Sequence, residues 1–178
     1  MSLDSLRESI PAYAKDLSLN LSSLATETVL TEQQKWGAFL ASAYAVGTPA
    51  VVQSIGAAAT AAGLSDEAAT AAKAAAAIMG MNNVYYRALH LMKNKEYMTL
   101  PAKLRMNVIG APGVEKADFE LWCTAVSAVN GCGMCLDSHE AELRKHGFSN
   151  VQVQAGLRIG AVVNAVSRVV AAELAAVV

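Results

Sequence analysis

The sequence predicts an all-α protein, because apolar residues recur at helical spacing, alanine is abundant, and helix caps separate the segments. The chain has 178 residues, of which 54% are hydrophobic and 6% aromatic. That length and composition allow a sizeable buried core. No pair of segments alternates polar and apolar residues as paired strands would. We therefore expect a single helical domain over residues 1–178.

Three helices are signalled in the first half of the chain. Thr31 and Gln34 have the spacing of a capping box at the start of a helix over 31–46. A Thr-Pro pair begins the next segment, 48–63, and a glycine ends it. Ser-Asp-Glu begins a third helix over 65–93, with its acids where the helix dipole favours them.

The second half continues in the same way. A proline predicts a short helix over 101–110, and Ala-Pro-Gly then breaks the chain. Apolar residues at three- and four-residue steps predict a helix over 116–129, which Asn130-Gly131 interrupts. A further helix is expected over 132–146. A serine then caps a last apolar helix, 149–178.

Two short passages are similar. Gln34-Lys-Trp36 precedes a Leu-Ala-Ser-Ala run, and Glu120-Leu-Trp122 precedes Ala-Val-Ser-Ala. The protein could therefore consist of two helical halves built on one plan. The last three helices are apolar on more than one side and need a cover, so we expect a homo-oligomer.

Charge and composition exclude some functions. The formal net charge is −1 with no basic patch, which argues against nucleic-acid binding. The first residues are polar and show no targeting signal. The uncharged stretch Trp36–Ser65 is long enough to span a bilayer, but its Thr-Pro and glycines indicate two packed helices instead. We therefore expect a cytoplasmic protein outside the membrane.

The chemistry is expected at Cys132 and Cys135, whose Cys-x-x-Cys spacing puts both thiols on one helical face. Gly131 permits a sharp turn that would place Cys132 near the helix start, where the dipole favours a thiolate. His139 lies one turn after Cys135 and can pass a proton. Glu120, among apolar neighbours, can serve as a base near neutrality.

Simpler interpretations exist for these residues. A lone Cys-x-x-Cys can be two buried core cysteines, and Cys123 is interpreted as core. His90 and His146 are interpreted as surface side chains. A zinc site built from two thiolates, an imidazole and a carboxylate is also possible, although the usual second pair of ligands is missing.

Glu120, Cys132-x-x-Cys135 and His139 together resemble the signature of the alkylhydroperoxidase D family, within the carboxymuconolactone decarboxylase-like superfamily. Further stretches are similar to its mycobacterial-type members in matching order: Pro11-Ala-Tyr-Ala-Lys-Asp16, Asn20-Leu-Ser-Ser23, Gly80-Met-Asn-Asn-Val84, Leu104-Arg-Met-Asn107 and Phe119-Glu-Leu-Trp122. The resemblance covers nearly the whole chain.

The resemblance implies an all-helical fold, usually a trimer, that reduces organic hydroperoxides and the peroxiredoxin alkyl hydroperoxide reductase C. Electrons would come from dihydrolipoamide, or a similar dithiol, on a lipoylated 2-oxoacid dehydrogenase component, with no cofactor or metal bound. Peroxide would oxidise Cys135 to a sulfenic acid, and Cys132 would supply a proton and close the disulfide. Glu120 and His139 match the proton relay.

One position departs from that pattern, because Met134 stands where the mycobacterial-type members have a histidine. A thioether carries no proton, so one relay member is missing, which bears on rate more than on reaction class. The competing hypotheses are a redox sensor or scaffold that does not turn over, and another enzyme of the superfamily. A decarboxylase would not depend on a cysteine pair.

Overall fold

The computed structural model describes residues 2–176, and within that range the chain is helical and contains no strand, as predicted. Nine α-helices follow in order: α1 (Leu3–Glu8), α2 (Lys15–Thr26), α3 (Glu32–Val46), α4 (Pro49–Ala61), α5 (Asp66–Leu91), α6 (Asn107–Gly110), α7 (Lys116–Asn130), α8 (Gly133–Lys145) and α9 (Asn150–Ala176). Two 3₁₀ turns, Ala12–Ala14 and Lys95–Thr99, lie between them.

The predicted capping residues begin the helices assigned to them. Thr31, Ser65 and Ser149 each accept a hydrogen bond from the backbone N–H three residues on. The capping box is complete, because the Gln34 side-chain oxygen accepts the Thr31 N–H at 3.1 Å. Thr48 occupies the N-cap of α4, but its hydroxyl donates to a carbonyl of α9 at 3.1 Å instead of capping.

The prediction of a helix over 101–110 is wrong in its first six residues. The chain from 101 to 106 has no helical hydrogen bonding, and only the single turn α6 forms. Leu100 is 58% exposed, and the residues that follow it bury no continuous apolar face. Helices in proteins are held mainly by packing of such a face, so the proline at the start was not sufficient.

Helix α7 lies at the centre of the fold, against α3, α5, α8 and α9. A Cβ atom on Gly37 of α3 would lie 2.1 Å from the ring of Trp122, so only glycine permits that approach. On the other side, a Cβ on Gly160 of α9 would lie 2.8 Å from the carbonyl oxygen of Ala125. Close packing on two sides therefore fixes α7, which carries Glu120.

Helix α9 alone among the described residues is long and apolar enough to cross a membrane. It packs against α2, α3 and α7, and nine of its residues are buried. The core helix of a globular protein has the same length and composition, so these properties are weak grounds for a span. The stretch Trp36–Ser65 forms two helices, α3 and α4, separated at Gly47, as predicted.

Candidate active site

The turn between α7 and α8 presents the cysteine pair. Gly131 adopts the left-handed conformation, with φ of 67°, which favours glycine and ends α7. Cys132 is then the N-cap of α8, and the helix begins one residue after the predicted start at residue 132. Its backbone N–H donates to the carbonyl of Ser127 at 3.1 Å. The chain reversal thus brings Cys132 back against the end of α7.

Cys132 and Cys135 are joined by a disulfide, with their Cα atoms 5.3 Å apart. Cys132 is fully buried, whereas Cys135 is 6% exposed and lines a cavity. The two sulfurs therefore differ in access: a molecule in the cavity meets Cys135 first, and Cys132 lies behind it.

Glu120 and His139 meet across the interface between α7 and α8. The Nδ1 atom of His139 lies 2.6 Å from Oε2 of Glu120, and both residues are less than a tenth exposed. A ring nitrogen and a carboxyl oxygen can lie this close only if one of them carries a proton that it donates to the other. Cys135 and His139 are four residues apart on α8, so the imidazole and the cysteine share one helical face. The structure thus brings Cys135, Glu120 and His139, three of the four predicted residues, to one cavity.

The cavity has a volume of about 460 Å³. Its walls combine apolar and thioether side chains from α5, α6, α8 and the segment before α6, namely Met79, Tyr86, Met106, Ile109 and Met134. Asn82 also lines it, and its amide oxygen has no hydrogen-bond partner among the described residues. A molecule with an apolar body and a small polar end fits such a lining.

Charged side chains surround the cavity at its mouth. Glu142 pairs with Lys116 and with Lys145, each at 2.9 Å. Hydrogen bonds from these two ammonium groups lower the pKa of Glu142 to about 2. In return, the hydrogen bond to Glu142 raises the pKa of Lys116. The mouth is therefore charged at neutral pH, in contrast to the walls.

The remaining candidates lie where the sequence placed them. Cys123 is fully buried, and burial, followed by the charge of Glu120, raises the pKa of its thiol well above the ordinary value. His90 and His146 are exposed. Among the described residues, no three His, Cys, Asp or Glu side chains are grouped so that they could hold a metal ion.

Sequence reasoning missed the contribution of α5. The Sδ atom of Met79 lies 3.2 Å from Nε2 of His139, although sixty residues separate the two in the chain. Met79 belongs to an alanine-rich apolar run, and nothing in its neighbourhood distinguishes it from an ordinary core residue. Its sequence context therefore did not single it out.

These features define an all-helical dithiol/disulfide protein, with a cysteine pair at a helix start beside a buried carboxyl–imidazole pair. A sequence model of the carboxymuconolactone decarboxylase family matches residues 95–177. The chain is 68% identical to the alkyl hydroperoxide reductase AhpD of Maricaulis maris, over 97% of this chain and 99% of the relative. It is 66% identical to that of Hyphomonas neptunium, over 98% and 97%. It is 56% identical to that of Streptomyces coelicolor, over 97% of each. The chain belongs to the alkylhydroperoxidase D family, within the carboxymuconolactone decarboxylase-like superfamily.

Proposed function

We propose that the protein is an antioxidant peroxidase that reduces alkyl hydroperoxides by cycling Cys132 and Cys135 between dithiol and disulfide. One observation carries the proposal: Cys135 opens onto the same cavity as the Glu120–His139 pair, with Cys132 already bonded to it. The relatives named alkyl hydroperoxide reductase, which match nearly the full chain, support an enzyme of this class.

The first half of the cycle oxidises Cys135. Its thiolate attacks the terminal oxygen of the hydroperoxide, the O–O bond breaks, and the sulfur becomes a sulfenic acid. The leaving alkoxide takes a proton from His139 and departs as the alcohol. The apolar walls hold the body of the substrate, which favours alkyl hydroperoxides over hydrogen peroxide.

The second half of the cycle closes and reopens the disulfide. The Cys132 thiol attacks the sulfenic sulfur, so that its proton and the leaving hydroxide become water. Two electrons from an external dithiol then restore both thiols. We propose dihydrolipoamide, or a similar dithiol, on a lipoylated 2-oxoacid dehydrogenase component as the donor. The reduced Cys132–Cys135 pair would in turn reduce the partner peroxiredoxin alkyl hydroperoxide reductase C.

The assembly and location are also proposals. Large apolar side chains remain exposed at the end of α5 and in the stretch after it, including Leu91 at 73%, Tyr97 at 44% and Leu100 at 58%. A surface of this kind is typical of a protein interface. It supports a homo-oligomer, for which we propose a trimer. We also propose that the protein is cytoplasmic and binds neither nucleic acid nor membrane; a formal net charge of −1 provides no excess of basic residues for nucleic acid.

Two other functions fit some of the observations. The matched family model is named for a decarboxylase, but it covers only residues 95–177, whereas the reductases match nearly the whole chain. A redox sensor would use the same disulfide without turnover. The cavity beside Cys135 favours a substrate, because a switch that only moves an interface has no need of one.

Intact-mass measurement tests the cycle. Peroxide should lower the mass of the reduced protein by about 2 Da, for two lost hydrogens, and dihydrolipoamide should restore it over repeated rounds. Cys135→Ser should abolish turnover, and Cys132→Ser should trap a sulfenic acid or mixed disulfide at Cys135. Cys123→Ala serves as the matched control and should turn over normally. A disulfide that forms once and never cycles would establish the sensor instead.

A further inference from the structure

The thioether of Met79 lies in unusual surroundings. Met79 is 1% exposed, yet three polar groups approach its Sδ atom: Nε2 of His139 at 3.2 Å, Nδ2 of Asn83 at 3.7 Å and Oγ of Ser127 at 3.7 Å. Methionine sulfur normally packs among apolar groups and is only a weak hydrogen-bond acceptor. The contact with His139 is the shortest of the three, and it joins Met79 to the buried Glu120–His139 pair.

The contact between Met79 and His139 bears on where the protons of the proposed relay lie. A thioether sulfur carries no hydrogen, so a hydrogen bond to it requires the proton on Nε2. The 2.6 Å contact between Nδ1 and Glu120 requires a second proton between those atoms. Donation from both ring nitrogens would give the buried pair two protons and no net charge, whether written as imidazolium and carboxylate or as two neutral groups. That state suits a site from which water is excluded.

We propose that Met79 is a positioning residue of the proton relay, whose sulfur accepts the Nε2–H of His139 and keeps the transferable proton at the cavity wall. The inference rests on the proposed peroxidase function and deepens it. Met79 and His139 line the same cavity as Cys135, so the proton would lie at the wall of the cavity in which the alkoxide forms. Because sulfur accepts weakly, little is lost when this proton moves to the alkoxide oxygen.

The same sulfur connects the relay to the second cysteine. The hydroxyl of Ser127, which donates to Met79, also accepts from the amide of Asn83 at 2.9 Å. The backbone carbonyl of Ser127 accepts the N–H of Cys132 at 3.1 Å. One buried polar cluster thus holds both the imidazole of His139 and the turn that carries Cys132.

The test replaces the sulfur with a carbon of similar volume. Met79→Leu should retain the fold, because the exchange conserves size. Met79→Gln restores an acceptor through its amide oxygen. Met81→Leu is the matched control, since Met81 is a methionine on the same helix outside the cavity lining. Nitrogen-15 NMR of the imidazoles, of which the chain has three, shows which ring nitrogen carries the proton.

In the oxidised wild type, Nε2 of His139 should be protonated. In Met79→Leu that proton should be lost from Nε2, and kcat should fall by about five- to tenfold, the loss of one hydrogen bond. KM for the hydroperoxide should stay within about twofold, because Met79 acts on the proton and not on substrate binding. Met79→Gln should recover most of kcat, and Met81→Leu should match wild type.

Three results would overturn the inference: an unprotonated Nε2 in the oxidised wild type, unchanged proton occupancy in Met79→Leu, or a moved proton with unchanged kcat. The first needs no variant, so it decides even if Met79→Leu does not fold. Failure of the proposed function looks different, because the wild type itself would then show no peroxide turnover. The NMR measurement still reports in that case whether Met79 controls the proton on His139.

Discussion

Helices α7 and α8 are joined by two acid–base pairs that differ in environment more than in distance. Glu120 and His139 meet at 2.6 Å, and their side chains are 5% and 10% exposed. Lys116 and Glu142 meet at 2.9 Å, and theirs are 49% and 23% exposed. At the surface, water can take or supply every proton. In the buried pair, a proton can leave only toward its partner or into the cavity, which is what a relay requires.

The largest effect should come from the buried pair. Glu120→Gln keeps an oxygen that can accept the N–H of His139, but the amide cannot take up a proton. We expect kcat/KM for hydroperoxide to fall by about 10²–10⁴-fold, the usual contribution of a positioned acid–base group. Steady-state kinetics with a dithiol donor measures this. Glu140→Gln, an exposed neighbour of His139 outside the cavity lining, is the matched control. An unchanged rate would make the buried pair structural.

A new base beside Cys135 should have a smaller effect. Met134 is partly buried and lines the cavity, so a histidine there would meet both water and the sulfur. We expect Met134→His to raise peroxidase turnover and to speed thiol alkylation near neutral pH by up to about tenfold. Alkylation rates of the reduced protein against pH would show this. A lower melting temperature with unchanged alkylation would mean that Met134 only packs.

The exposed Lys116–Glu142 pair should affect the stability of the fold and not peroxide reduction. Its contribution to stability should depend on pH. The pKa of Glu142 is lowered from 4.5 to about 2, chiefly by its hydrogen bond to Lys116. A carboxyl with a depressed folded-state pKa stabilises the fold above its unfolded pKa and loses that contribution as the pH falls. Urea unfolding should therefore find Lys116→Met slightly less stable at pH 7, with the difference shrinking between about pH 4.5 and 2. High salt should also reduce this difference in stability. A difference that changes with neither pH nor salt would refute an ionic origin.

The smallest effect is expected when Glu120→Gln is tested for alkylation of Cys123, which lies on the same helix as Glu120. Burial is the main cause that raises the pKa of its thiol, and the charge of Glu120 is the lesser one. After reduction, iodoacetamide should label Cys135, which lines the cavity, and should leave the fully buried Cys123 unlabelled in the native protein, and Glu120→Gln should not change this for Cys123. Peptide mass spectrometry identifies the labelled sites. Labelling of Cys123 in the variant would mean that the charge of Glu120, not burial, keeps the thiol inert.

Much of the helical architecture and of the site could be predicted from local signals. The capping box at Thr31, the caps at Ser65 and Ser149 and the turn at Gly131 all act within a few residues. The helix over 101–110 failed for the opposite reason. A first-turn proline is also a local signal, but whether a short helix forms depends on the face it buries, which the residues around it do not reveal.

By itself, the sequence determined α3, α4, α5, α7, α8 and α9, the Cys-x-x-Cys spacing and the one-turn step from Cys135 to His139, because these depend on backbone geometry over a few residues. Only the tertiary structure decided that Glu120 reaches His139 across two helices, and that Met79 lies against the other ring nitrogen. Those contacts depend on how closely α7 packs against its neighbours, which the glycines on α3 and α9 permit. Such packing is a property of surfaces distant in the chain, so no single stretch of residues contains it.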